Sequence, residues 1–193
     1  MSSDRLLRTG FVVLGVAGGL MLVQLGRAVE NAAPGRPGPA GLSQLAGGYA
    51  PLVADWLWLR ANLAWERRDA PETRRLIRRT VATDPQSAYF WLNGARMLAY
   101  DLPAWRRDTE PDAPAALQQR WRLTGADEAI AFLERGLAWH ADSAALYLEL
   151  ANISLYVAED RHRAADYYRQ AAGRPDAPPY AARLAESLRT GAH

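Results

Sequence analysis

The sequence predicts an all-α protein with a single N-terminal transmembrane helix, about three helical hairpins and a terminal helix. Three observations carry this. The run 9–26 is 18 residues long and has no charged side chain. From Pro51 onward apolar residues recur at helical spacing, and Pro, Gly and Asp-Pro steps separate the segments. No segment has the strict alternation of a half-buried strand.

As a helix, the run 9–26 is roughly 27 Å long, close to the hydrocarbon thickness of a bilayer. Arg5 and Arg8 precede it and Arg27 closes it. A cleaved signal peptide needs a shorter apolar run and small residues flanking the cut, which the sequence after Arg27 does not supply. A chain without Cys has no lipoprotein anchor either. Residues 1–27 are therefore expected to act as an uncleaved signal anchor in the cytoplasmic (inner) membrane. Arg5, Arg8 and the amino terminus favour a cytoplasmic N-terminus, with the remaining chain on the outer, periplasmic side, although Arg27 and Arg36 pull the other way. Residues 28–50 read as a linker, because Pro34, Pro37 and Pro39 alternate with Gly35, Gly38 and Gly41. A tether of that length reaches roughly 25–30 Å.

Residues 51–193 form the expected helical domain. The first helix is predicted over 51–68, opened by a Pro suited to a first turn. Asp69-Ala70-Pro71 ends it and a second follows over 71–83. Asp84-Pro85 ends that, and a third covers 86–100. A proline-rich interruption is expected from 102 to 114, part of an insertion at about 102–123. Further helices are predicted over 115–122 and 127–140, then over 143–157, 161–172 and 179–190.

Small and large residues recur across these helices in a fixed pattern. In 127–151, Ala129, Gly136 and Ala151 are small while Leu133, Tyr147 and Leu150 are large. In 83–98, Asp84-Pro85 precedes Trp91, Ala95 and Leu98; in 159–171, Ala164, Tyr168 and Ala171 repeat the theme. The pattern resembles the tetratricopeptide repeat (TPR) family over about 140 residues. It departs at Thr73 and Thr80, where smaller residues are usual, at the long middle segment, and at Ala141, which stands for a repeat-closing Pro. The opening Ala54-Asp55-Trp56-Leu57-Trp58-Leu59-Arg60-Ala61 also resembles membrane-anchored bacterial repeat proteins. The resemblance implies helix pairs stacked into a curved TPR-like α-solenoid, with first helices lining the concave side.

Composition narrows the function. With no Cys and only His140, His162 and His193, thiol chemistry is excluded and a zinc site is unsupported. All 23 basic residues are Arg, which coding bias explains most simply. No phosphate loop, H-E-x-x-H or nucleophile elbow is present, so neither catalysis nor a cofactor, metal or small-molecule substrate is expected. The pairs Asp127/Glu128 and Glu159/Asp160 sit at predicted helix starts, where the helix dipole accounts for them. Nucleic acid is not expected, since the domain is near neutral and the chain anchored.

A partner surface is expected on the first helices. On the opening helix, Leu52, Trp56, Leu59 and Leu63 share one stripe, assigned to the core. Asp55, Trp58, Asn62 and Trp65 share another, assigned to a groove. Tyr89, Leu92, Asn93 and Arg96 take the equivalent stripe on the next first helix, and Leu148, Asn152, Leu155 and Tyr156 on the last. Aromatics mixed with amides and one Arg suit an extended peptide or a partner helix. The competing reading packs Trp58 and Trp65 under the linker or against the membrane surface. Two Asn, Asn62 and Asn93, match repeats that clamp acidic C-termini, but Trp58, Ala145 and Glu149 replace the basic residues such clamps need.

Arg67, Arg68, Arg74, Arg75, Arg78 and Arg79 put six charges in 13 residues. Arg74/Arg78 and Arg75/Arg79 are each one turn apart, a candidate face for anionic headgroups or an acidic partner, with plain solvation as the bland alternative. The expected function is that of a membrane-anchored scaffold or adaptor holding a protein partner in an envelope complex. Its rivals are a structural subunit held through its anchor helix and an assembly factor for exported proteins.

Overall fold

The computed structural model describes residues 49–191. The expected anchor over 1–27, its span at 9–26, and the linker up to residue 48 lie outside the described residues. Among the described residues every regular element is helical, and no helix is long and apolar enough to cross a membrane. The elements are α1 (Ala50–Glu66), α2 (Ala70–Thr83), α3 (Ala88–Arg96), a π-helical turn (Met97–Asp101), α4 (Leu102–Thr109), α5 (Ala115–Gly136), α6 (Ala144–Tyr156), α7 (Arg161–Ala172) and α8 (Tyr180–Thr190).

Local chemistry sets the boundaries. Pro51 occupies the first turn of α1, where its missing N–H costs nothing. At the far end the Arg68 N–H donates to Trp65 O (2.9 Å) and the Asp69 N–H to Ala64 O (3.0 Å). These paired bonds are a Schellman closure, with Arg68 at φ +56° in the position that usually holds Gly. Asp69 then caps α2 by accepting from the Glu72 N–H. Between α2 and α3 the Asp84 side chain accepts from the Gln86 N–H, closing a turn whose Pro85 carbonyl also accepts from the Trp91 indole at 2.9 Å. His140 is half-buried, and its Nε2 lies 3.1 Å from the same carbonyl.

Pro103 does not break the chain as its composition suggested. A proline has no N–H for the helical ladder and crowds the preceding turn. The chain answers by widening one turn: the Leu102 N–H reaches back to Met97 O, and helical geometry resumes through α4. The loop to α5 is short, and α5 runs unbroken for 22 residues. The segment 102–123 is mostly helical, carrying α4 and the first part of α5. It lengthens both helices of the second hairpin.

Helices pair in sequence order: α1 with α2, α3 through α4 with α5, and α6 with α7, while α8 lies on α7. Successive hairpins touch along two layers. In one, Trp58 of α1 packs against Tyr89 and Phe90, with ring centroids 5.7 and 5.4 Å away. Arg96 crosses from α3 to Glu149 of α6 in the same layer. In the other, Arg74 and Arg78 of α2 both bind Glu128 of α5, and Tyr167 of α7 donates to Glu134 of α5. Close approach needs small residues. A methyl at Gly94 would meet Ile77 Cγ2 at 2.7 Å, and one at Gly136 would meet the Trp91 ring at 2.9 Å. Thr73 and Thr80 are fully buried, and each hydroxyl donates to the carbonyl four residues back, which satisfies the polar atom inside the core. Leu57, Leu76, Ile77 and Leu133 are buried between hairpins, and full burial of such a side chain contributes about 1.5–3 kcal/mol.

The phase of α1 differs from the expectation. Leu52, Leu59 and Leu63, predicted for the core, are 52%, 63% and 47% exposed, and Trp56 is half-buried beneath the Arg60 guanidinium. The buried stripe is instead Val53, Ala54, Leu57, Trp58, Ala61 and Ala64. The reason is steric: α1 lies close on α2, and a seam carrying three Ala permits that approach where one of Leu and Trp does not.

Candidate functional site

The first-helix layer (α1, α3 with its π turn, α6) carries a row of exposed polar and aromatic groups. Helical spacing aligns Tyr89, Asn93, Arg96 and Tyr100 on one stripe of α3 and its continuation. Tyr89 and Tyr100 are 57% and 39% exposed. On α6 the facing stripe holds Glu149 and, seven residues on, Tyr156, which is 67% exposed. Asp55 and Asn62 extend the row onto α1; Asp55 is exposed and its carboxylate has no partner among the described residues.

The centre of the row is the Arg96–Glu149 pair. Glu149 is buried, and its Oε2 accepts from Arg96 Nη2 at 2.8 Å and Nε at 3.1 Å. A buried carboxylate requires such a partner, because its own desolvation is costly. The bond to Glu149 raises the Arg96 guanidinium further above its usual value. Tyr100 stands beside the pair. Burial pushes its phenol up to about 12, the Glu149 carboxylate adds to the shift and Arg96 opposes it. The surface thus offers neutral phenols and amides around one neutralised ion pair, an arrangement that forms hydrogen bonds and apolar contacts.

The expected partner residues divide accordingly. Asp55, Asn62, Tyr89, Asn93 and Arg96 lie on this face. Asn62 and Asn93 are half-buried, and each spends one amide N–H on the carbonyl four residues back, at 2.9 Å. Trp58 and Trp65 are corrections: both act in packing. Trp58 is 7% exposed under Tyr89 and Phe90. Trp65 donates its indole N–H to Asp101 Oδ2 at 2.8 Å and tilts against Trp105 at 6.1 Å, fastening the first hairpin to the second. Asn152 is a third correction, because its Oδ1 accepts from the Tyr168 hydroxyl at 2.6 Å and so faces α7. Leu148 and Leu155 likewise pack toward α7 and α8. Tyr100 was missed because it closes the predicted helix over 86–100, and its nearness to Glu149 of α6 is a contact across the fold that has no local signature.

The basic face of α2 is also redistributed. Arg74 Nε and Arg78 Nη2 hold the two oxygens of Glu128 at 2.9 and 2.8 Å, Arg75 makes two bonds to Glu72, and Arg79 is also engaged. Glu72 sits below the usual carboxylate range because Arg75 hydrogen-bonds its charged form. Arg74 and Arg78 thus brace the first hairpin to the second, while Arg75 is held within α2. Among the described residues no group of three or more His, Asp or Glu could hold a metal ion.

No protein-family model matches the chain, and neither the curated proteins nor the solved structures contain a significant match to it.

Proposed function

We propose that the protein is a membrane-anchored, TPR-like scaffold that holds a protein partner on the face formed by α1, α3 and α6. The observation that carries this reading is the row of exposed Tyr89, Tyr100 and Tyr156 with the half-buried Asn93 around the Arg96–Glu149 pair. Tyrosines give large contact area at low conformational cost, and side-chain amides pair with the backbone of an extended or helical segment. The uncharged run 9–26 supplies the anchor and the Pro/Gly stretch the tether. The test is crosslinking in intact membranes with Tyr89→Ser combined with Tyr156→Ser. Loss of a specific crosslinked protein, with the melting temperature retained, is the expected result. Retention of every crosslink would sink the assignment.

A second reading, a structural subunit packed laterally in a membrane machine, draws on the exposed stripe Leu52, Leu59 and Leu63. Their spacing of seven and four residues suits helix-to-helix packing. Under that reading Leu59→Glu with Leu63→Glu abolishes assembly while the tyrosine variants do not.

A further inference from the structure

The lengthening of the second hairpin creates a feature that the partner face does not use. Where α4 overhangs, a cleft of about 330 Å³ opens between α2, α4 and α5. Three guanidiniums line it, those of Arg74, Arg106 and Arg120, and its lining contains no acidic residue. Arg74 is already committed to Glu128 at 2.9 Å. The Arg106 guanidinium lies over the buried Trp121 ring, 4.5 Å from its centroid, a cation–π contact that holds it at the cleft. Its one acidic neighbour, Glu110, is 3.7 Å away with both side chains more than half exposed, a geometry of little strength. Arg120 has no partner among the described residues. Leu102, Pro103, Leu117 and Trp121 supply apolar wall, and Thr124 lines the cleft too, its hydroxyl donating to the Arg120 carbonyl. Gly125 makes the floor possible: a methyl there would lie 2.4 Å from Pro103 Cγ and 2.9 Å from Leu98 O.

Convergent like charges on a pocket without acids disfavour one another unless an anion joins them. The charge left over belongs to Arg120 and the loosely paired Arg106, which complements one carboxylate held by the guanidinium edges. The volume lies at the lower end of small-ligand sites. We propose that this cleft binds a carboxylate carried beside an apolar group, either the free C-terminus of a peptide with an apolar last side chain or a small hydrophobic acid.

The test uses the full chain in a mild non-ionic detergent, titrated by saturation-transfer NMR and calorimetry. The probes are N-acetyl-Leu-Phe as the free acid, the same dipeptide as its C-terminal amide, phenylacetate, and inorganic phosphate. The free acid is expected to bind at least about tenfold more tightly than the amide, and Arg120→Gln to weaken it by about tenfold, since a charge-assisted bond is lost. Arg120 is exposed and makes no side-chain hydrogen bond or ion pair among the described residues, so the variant's melting temperature should match that of the unmodified chain. Tighter binding of the dipeptide than of phenylacetate assigns the cleft to peptide termini, and the reverse order assigns it to small acids. Equal binding of acid and amide, phosphate binding as well as either acid, or Arg120→Gln binding like the unmodified chain would each overturn the proposal. Tyr89→Ser with Tyr156→Ser, which removes the partner face, should leave all of these affinities unchanged.

Discussion

Arg68 sits at φ +56°, a backbone conformation that an L side chain adopts at a cost of about 1–2 kcal/mol and Gly adopts freely. Among the described residues its only side-chain partner is Asp108 at 3.1 Å, with both groups more than half exposed, and such pairs contribute about 0–1 kcal/mol. Arg68→Gly should therefore stabilise the protein by about 0.5 kcal/mol after the larger entropy of the unfolded glycine chain is counted, as read by chemical denaturation. Tyr100 gives a prediction with a defined pH window. Its folded phenol is raised from 10 to about 12. Below pH 10 both states are neutral, and between 10 and 12 the unfolded chain ionises first, so stability falls as pH rises through that interval. Tyr100→Phe should lose stability less steeply above pH 10, measured as the denaturation midpoint from pH 9 to 11. The misplaced stripe on α1 belongs to this scale too. Apolar residues run nearly all round that helix, so periodicity alone does not choose a face. The deciding signal was the size of Ala54, Ala61 and Ala64, which sequence reasoning passed over in favour of larger side chains.

Most elements were legible because their punctuation is local. Asp69 and Asp160 cap α2 and α7 through their own side chains, and the Asp84-Pro85 step closes a turn. The second hairpin was misread because its long helix depends on a non-local compensation. Gly125 of α5 lets Pro103 nest against it, and the π turn absorbs the proline. Neither effect has a short-range signature. The pairing of Arg74 and Arg78 with Glu128 was hidden for the same reason, as the partner lies about 50 residues away. Gly94 tests how tightly the hairpins meet. Its added methyl would press on Ile77 Cγ2 at 2.7 Å and the Phe132 ring at 3.1 Å. Gly94→Ala should destabilise by about 1–3 kcal/mol, because overpacking in a filled core forces side chains off their rotamers. A thermal melt that matches the unmodified chain would show that the contact yields.

Across the described residues, the charge asymmetry along the sequence is partly taken up by contacts between its basic and acidic stretches. The residues 51–107 carry 10 Arg against 6 acids, and 108–193 carry 9 Arg against 13 acids. Arg68, Arg74, Arg78 and Arg96 of the first stretch bind Asp108, Glu128 and Glu149 of the second. What read as a dipole is thus partly an internal fastening. The main contacts join each hairpin to the next one along the chain and not to a more distant one. Such a molecule melts like a zipper with two free ends: interior units are held on both sides, terminal units on one. Native-state hydrogen exchange should find the slowest amides in α3 and α5, with α1 and α8 opening at lower free energy, whereas uniform protection would mean that the stack opens as a single unit. The N-terminal end, which would carry the anchor, would then be among the first to fray, so that anchoring reports as slowed exchange in α1 before it raises the global melting point.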